Sequence, residues 1–240
     1  MTTRKNFALP RLAVLLALLS TAGGVAARDS GSGVEPERLG GEGKAALLLV
    51  EYQHEWLDPS GKLHHLMQDR EQFDRAVEAS RRLLAGVRKA GLPVIHAGLN
   101  FTEGYPELGQ AGSGLREAIP RVGTFRGVGA SFMAPFIPQA GEFVISGRQG
   151  ASAFSGSNLD SYLRNQGIDT LLIAGFALHV CVESTLRAAH DLGYNAVLVA
   201  DATAAFTSEQ RHHVLAEVVH HFGQSIEVDQ LIGALEASGE

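Results

Sequence analysis

The chain has 240 residues, of which 45% are hydrophobic and 19% charged, with a net charge of -6. That balance suits one globular domain with a large buried core. With no basic stripe and an acidic total, nucleic acid is excluded as an expected partner. At the start, Arg4 and Lys5 precede the apolar run LAVLLALLSTAGGVAA, which ends in small residues. Residues 1–27 therefore read as a secretory signal peptide, with Val25 and Ala27 suiting a cut after Ala27, and predict a periplasmic or secreted protein. The alternative is a membrane anchor formed by the uncleaved segment, for which the run is short. Removal of 1–27 takes away Arg4, Lys5 and Arg11 and no acid, deepening the charge to -9.

Residues 28–44 are polar and rich in Gly and charge, and read as a flexible lead-in to a folded domain over 45–240. AALLLVE (45–51) reads as a buried strand. DREQFDRAVEASRRLLAGVRKAG reads as a helix with Phe73, Val77, Leu84 and Val87 on one face and Gly91 as its stop. LPVIHAG (92–98) is the next strand, followed by an irregular stretch from about Leu99 to Gly141, long enough to shape a site. Then come strand EFVIS, a helix from SNLDSYLRNQG with Ser157 and Asp160 as a capping box, strand TLLIAG, a helix after Cys181, strand AVLVAD, helix SEQRHHVLAEVVHHFG, a short IEV strand and a terminal helix. This alternation predicts an α/β three-layer sandwich, Rossmann-like, with a mainly parallel sheet and helices on both faces.

In open sheets of this kind ligands bind beyond the carboxyl ends of the strands. Three residues with chemistry in them fall there: Glu51 after AALLLV, Arg148 after EFVIS, and Cys181 after TLLIAG. Cys181 is the only cysteine, so it has no intrachain disulfide partner. The run Val182, Leu186 and Ala189, with Gly193 as the stop, puts it near the first turn of a helix, where unpaired N–H groups favour a thiolate and can hold an oxyanion. The plain alternative is a small buried hydrophobe.

Three stretches, LLLVEYQHEW, GRQGASAFSGSNLD and GFALHVCVESTLRAAHDLGYNAVLVADA, resemble the isochorismatase-like cysteine hydrolases, a superfamily that includes nicotinamidases, carbamoyl-amide hydrolases and related amidases. The resemblance implies a six-stranded parallel sheet, a homo-oligomer (dimer or tetramer), and an acid-lysine-cysteine triad attacking a carbonyl carbon. It also implies a cis peptide at Phe176-Ala177. Cys181 matches the nucleophile, whereas Glu51 stands at the place of the family aspartate and Arg148 at the place of its lysine. Both substitutions keep the charge and lengthen the arm. Because a guanidinium does not shuttle protons, the thiol proton must go to Glu51 or to water, leaving Arg148 an electrostatic role shared between carboxylate and sulfur. A structural salt bridge is the alternative for this pair.

The N–H groups of Ala177 and Cys181 are the expected oxyanion hole. Trp56, Phe101, Phe154 and His179 are expected in the substrate pocket. No metal and no cofactor are expected. His54, Asp58, His64 and His65 cluster only by proximity, and the nicotinamidase Asp-x-His spacing is missing from YQHEWLDPSGKLHHLM. Asp201 and Thr203 read as a turn or helix cap. The sequence thus points to a cysteine hydrolase of a small amide, ureide or related C–N bond. The rival is a small-molecule binder or thiol-redox protein on the same fold.

Overall fold

A computed structural model describes residues 44–110 and 112–238. The expected signal peptide and nearly all of the lead-in lie outside the described residues. Six strands form one sheet: β1 (Lys44–Val50), β2 (Val94–Ala97), β3 (Phe143–Val144), β4 (Ile168–Gly175), β5 (Asn195–Thr203) and β6 (Gln224–Ile226). Their order is β3-β2-β1-β4-β5-β6, and every pairing is parallel. The chain therefore builds outward from β1 in one direction and then, from β4, in the other. The reversal lies between β1 and β4, where their carboxyl ends leave a crevice.

Successive side chains of a strand point to opposite faces, and β1 uses both. Leu47 and Leu49 join a core with Phe73, Leu84, Val87 and Leu231. Ala46, Leu48 and Val50 join a second with Leu163, Leu186 and Val218. The first core seats two helices, α2 (Arg70–Lys89) and α8 (Val228–Ser238), after a short α1 (His54–Leu57). The second seats α4 (Leu159–Gln166), α5 (Glu183–Asp191) and the helical run of α6 (Ser208–His213), a π turn (Val214–Val218) and α7 (Val219–Phe222). Two helical layers thus enclose the sheet, as the alternation required. Among the described residues no helix is long and apolar enough to cross a membrane.

Local signals place most helix ends. Asp69 caps α2 by accepting from Gln72 N at 3.0 Å, and Gly91 follows it with φ 72°. The expected box at Ser157 and Asp160 is not formed. Ser157 Oγ accepts from Leu159 N at 3.1 Å, while Asp160 turns outward to Arg164 and Tyr194. A capping box does form at α6, between Thr207 and Gln210. Asp201 supports α8 by accepting from Val228 N at 2.9 Å, whereas Thr203 is the last residue of β5. The stretch read as irregular also holds a helix, α3 (Leu115–Val122). Pro120 obscured it: proline removes an N–H and usually ends a helix, yet here the turn closes at Gly123, whose N–H reaches Ile119 O at 2.9 Å.

Candidate active site

Glu51 is the first residue past β1. It is fully buried and has a φ of 61°, a backbone region that non-glycine residues seldom occupy. Its N–H is tied to Ala97 O at 3.1 Å. Across the crevice, Gly175 ends β4 with φ 131°; a Cβ there would lie 2.1 Å from Val50 O, so no side chain fits. This close approach sets β4 against the root of Glu51. The Phe176-Ala177 peptide is cis, and the chain then enters a π-helical turn, Leu178–Val182, that runs into α5. Val182 N reaches back to Ala177 O at 3.3 Å. Cys181 thus sits in a wide turn ahead of α5, not in the first turn of a regular α-helix.

Arg148 follows β3 and is as deeply buried as Glu51, the paired side chains being 1% and 0% exposed. One terminal nitrogen donates to Glu51 Oε1 at 2.7 Å and also to Ala151 O. The other donates to Ala97 O at 2.9 Å, and Nε to Gly150 O at 3.1 Å. The contact with the carboxylate is therefore through a single nitrogen, and the rest of the fork braces the backbone of the 150–151 turn and the end of β2. The remaining oxygen of Glu51, Oε2, accepts from Trp56 Nε1 at 2.8 Å. Two rigid donors consequently fix the plane of the carboxylate.

The Cys181 thiol lies close enough to both members of the pair for their charges to act on it. Burial, reinforced by the Glu51 carboxylate and opposed by Arg148, pushes its pKa well above the ordinary thiol value. That shift favours the neutral thiol over the thiolate. Thr185 locks the turn: its hydroxyl donates to Cys181 O at 2.7 Å and accepts from Ala153 N at 2.9 Å. No acceptor among the described residues takes the Ala177 N–H.

Glu51, Cys181 and Ala177 face one cavity of about 470 Å³. Of the four residues expected in a substrate pocket, Trp56 and Phe101 line this cavity and Phe154 and His179 do not. Phe154 stacks on Tyr194 at 5.6 Å. His179 packs edge-on against Phe206 at 4.5 Å, and Phe206 is the ring that reaches the cavity. Burial lowers the His179 pKa. Arg148 is also absent from the cavity wall, where Gln149, Gly150 and Ala151 stand in front of it. Of its expected place between carboxylate and sulfur, the hydrogen bond seen is the one to the carboxylate, at Glu51 Oε1.

Sequence reasoning missed the residues that shape this space. Gln53, 1% exposed, clamps Leu99 through both amide atoms, donating to Leu99 O at 2.7 Å and accepting from Leu99 N at 2.9 Å. Glu55, 3% exposed, accepts from Phe125 N at 3.0 Å and Lys62 N at 2.9 Å. A buried polar side chain must satisfy its bonding capacity, and these two do so by fixing loops far apart in sequence. The helix α3 supplies another wall; the spacing of Leu115, Ala118, Ile119 and Val122 was its legible signal. Near α1, the His54 ring lies 3.4 Å from Asp58 and His64 Nδ1 lies 2.7 Å from Trp56 O, so both rings are engaged.

Comparison with known proteins agrees with this architecture. Residues 45–230 match the Isochorismatase domain. The chain is 28% identical over 201 residues to a maleamate amidohydrolase of Pseudomonas putida, covering 83% of this chain and 91% of that protein. It is 30% identical over 211 residues to a ureidoacrylate amidohydrolase of Stutzerimonas stutzeri, covering 82% and 85%. A cysteine hydrolase from Pseudomonas syringae superposes with a TM-score of 0.70 at 20% identity, covering 85% of this chain and 95% of that one. An enzyme fold, a crevice at the strand reversal and a match over most of the length point one way: this chain belongs to the isochorismatase family.

Proposed function

We propose that the protein is a cysteine-dependent hydrolase of a C–N bond in a small amide or ureide, with Cys181 as nucleophile, Glu51 as proton carrier and Arg148 as the fixed charge that holds Glu51. The observation that carries this reading is the shared cavity, which Cys181, Glu51 and Ala177 all line. The amidohydrolase relatives support the reaction class.

The steps follow from the donors and acceptors present. As the carbonyl carbon approaches, Sγ attacks it and the thiol proton passes to Glu51, so no free thiolate need persist in the buried site. The carbonyl oxygen gains the electron pair and is held by the N–H groups of Ala177 and Cys181. Protonated Glu51 then delivers its proton to the departing nitrogen, and the C–N bond breaks to leave a thioester. Water, losing a proton to Glu51, attacks the thioester carbon; the acid leaves and the sulfur regains its proton. Arg148 takes no proton at any step. It keeps the carboxylate in place and opposes the cost of negative charge as it shifts between oxygen and sulfur.

The raised thiol pKa favours a second reading, a small-molecule binder whose sulfur stays inert. Ammonia or amine release from a panel of amides separates the two. Cys181→Ala and Cys181→Ser should abolish release and leave the circular dichroism spectrum unchanged. Activity surviving in Cys181→Ala refutes the nucleophile assignment.

A further inference from the structure

The cavity is much larger than an amide group alone requires. Its volume of about 470 Å³ falls in the range that holds a ligand with a substantial body, roughly 300–1,000 Å³. On α3, Leu115, Ala118, Ile119 and Val122 recur at helical spacing and all line it. Leu115 is 42% exposed and Val122 44%. That apolar stripe has no complete protein partner, and the surface it offers is cavity wall. Phe101 and Phe125, both nearly buried, also line the cavity.

Charge limits the occupant further. Among the described residues, Arg148 stands behind the wall with its donors committed to Glu51 and three carbonyls, and the cation that lines the cavity is Arg116, on the exposed first turn of α3 and without an ion pair. Beside Cys181 the charge that faces the cavity is the carboxylate of Glu51. A second carboxylate next to the scissile carbonyl would lose its water and repel Glu51.

We propose that the substrate carries an uncharged apolar body, of about the size of a pentyl or benzyl group, seated against the stripe of α3, with its amide carbonyl at Cys181. This rests on the hydrolase reading above and specifies its substrate class.

The test uses the full chain and primary amides from acetamide through butyramide to hexanamide, with phenylacetamide, and with maleamate as the small acidic amide. Two readouts run in parallel: kcat/KM for ammonia release, and protection of Cys181 from iodoacetamide. Burial of each methylene is expected to raise kcat/KM about threefold to fourfold, with protection strengthening in the same order and maleamate falling below butyramide in both. The double variant Leu115→Ser with Val122→Ser should cut the hexanamide-to-acetamide ratio about tenfold by removing apolar contact. A flat response to chain length in both readouts overturns the proposal, as does maleamate being the preferred amide. If no amide is hydrolysed while hexanamide still protects Cys181 better than acetamide, the pocket inference stands and the hydrolase reading falls.

Discussion

The Glu51-Arg148 pair makes a quantitative prediction. Arg148→Met keeps most of the side-chain volume but removes every donor, leaving the buried Glu51 carboxylate without its cation and the carbonyls of Ala97, Gly150 and Ala151 without their guanidinium contacts. Breaking a buried pair by removing one partner costs about 3–5 kcal/mol. For a domain of this size each kcal/mol lowers Tm by about 2–4 °C, so the melting point should fall by about 6–20 °C. Adding Glu51→Gln neutralises the stranded charge, and Trp56 Nε1 can still donate to the amide oxygen. The double variant should therefore recover about 2 kcal/mol relative to Arg148→Met, short of wild type because the guanidinium's hydrogen bonds to the three carbonyls are still missing. Urea unfolding at pH 7, with wild type and both single variants, closes the cycle. The reasoning is refuted if Arg148→Met loses under about 1 kcal/mol, or if the two substitutions simply add.

Three other predictions follow from the same geometry. Glu51→Asp and Arg148→Lys each shorten an arm held by a fixed donor set, and displacement on the order of 1 Å should lower kcat about a hundredfold; the double variant should recover part of that loss, and additive losses in steady-state kinetics would show that the two arms are not matched. Because burial raises the Cys181 pKa, alkylation of the resting protein by iodoacetamide should keep accelerating above pH 9, and a plateau near the ordinary thiol value would contradict the buried-thiol account. At the opposite edge, Glu142 is held down to about 2 because Arg88, Gln139 N and His96 outweigh its burial, and burial lowers the His96 pKa. Both groups bind fewer protons folded than unfolded, so stability is present at neutral pH, declines as pH drops below the histidine range, and is lost through Glu142 as pH approaches about 2; Glu142→Gln should flatten the acid end of the pH-stability curve measured by urea unfolding.

The amino-acid order alone determined the layered architecture and the anchoring of the two reactive groups. A strand covered on both faces must be apolar throughout, and the run from Ala46 to Val50 is, each residue being fully buried. Because Glu51 directly follows one such strand and Cys181 lies six residues beyond another, parallel pairing of β1 with β4 brings their ends to one rim. The resemblance in GFALHVCVESTL added the matching roles. Sequence did not disclose how side chains turn once they leave the regular elements. Phe154, His179 and Arg148 each lie near the crevice in chain position, yet Phe154 found Tyr194, His179 found Phe206, and the fork of Arg148 turned to carbonyls behind the wall. Each has a partner tens of residues away, Tyr194, Phe206 and Ala97 in turn, which no local pattern encodes. The pocket has the same origin: Gln53 and Glu55 hold the loops around Leu99 and Phe125, and the long connection condenses into α3 against the space they frame. Periodicity reports what a segment buries. Only tertiary structure decides against what, because hydrogen bonds between distant loops, not the residues of either loop alone, fix the shape left between them.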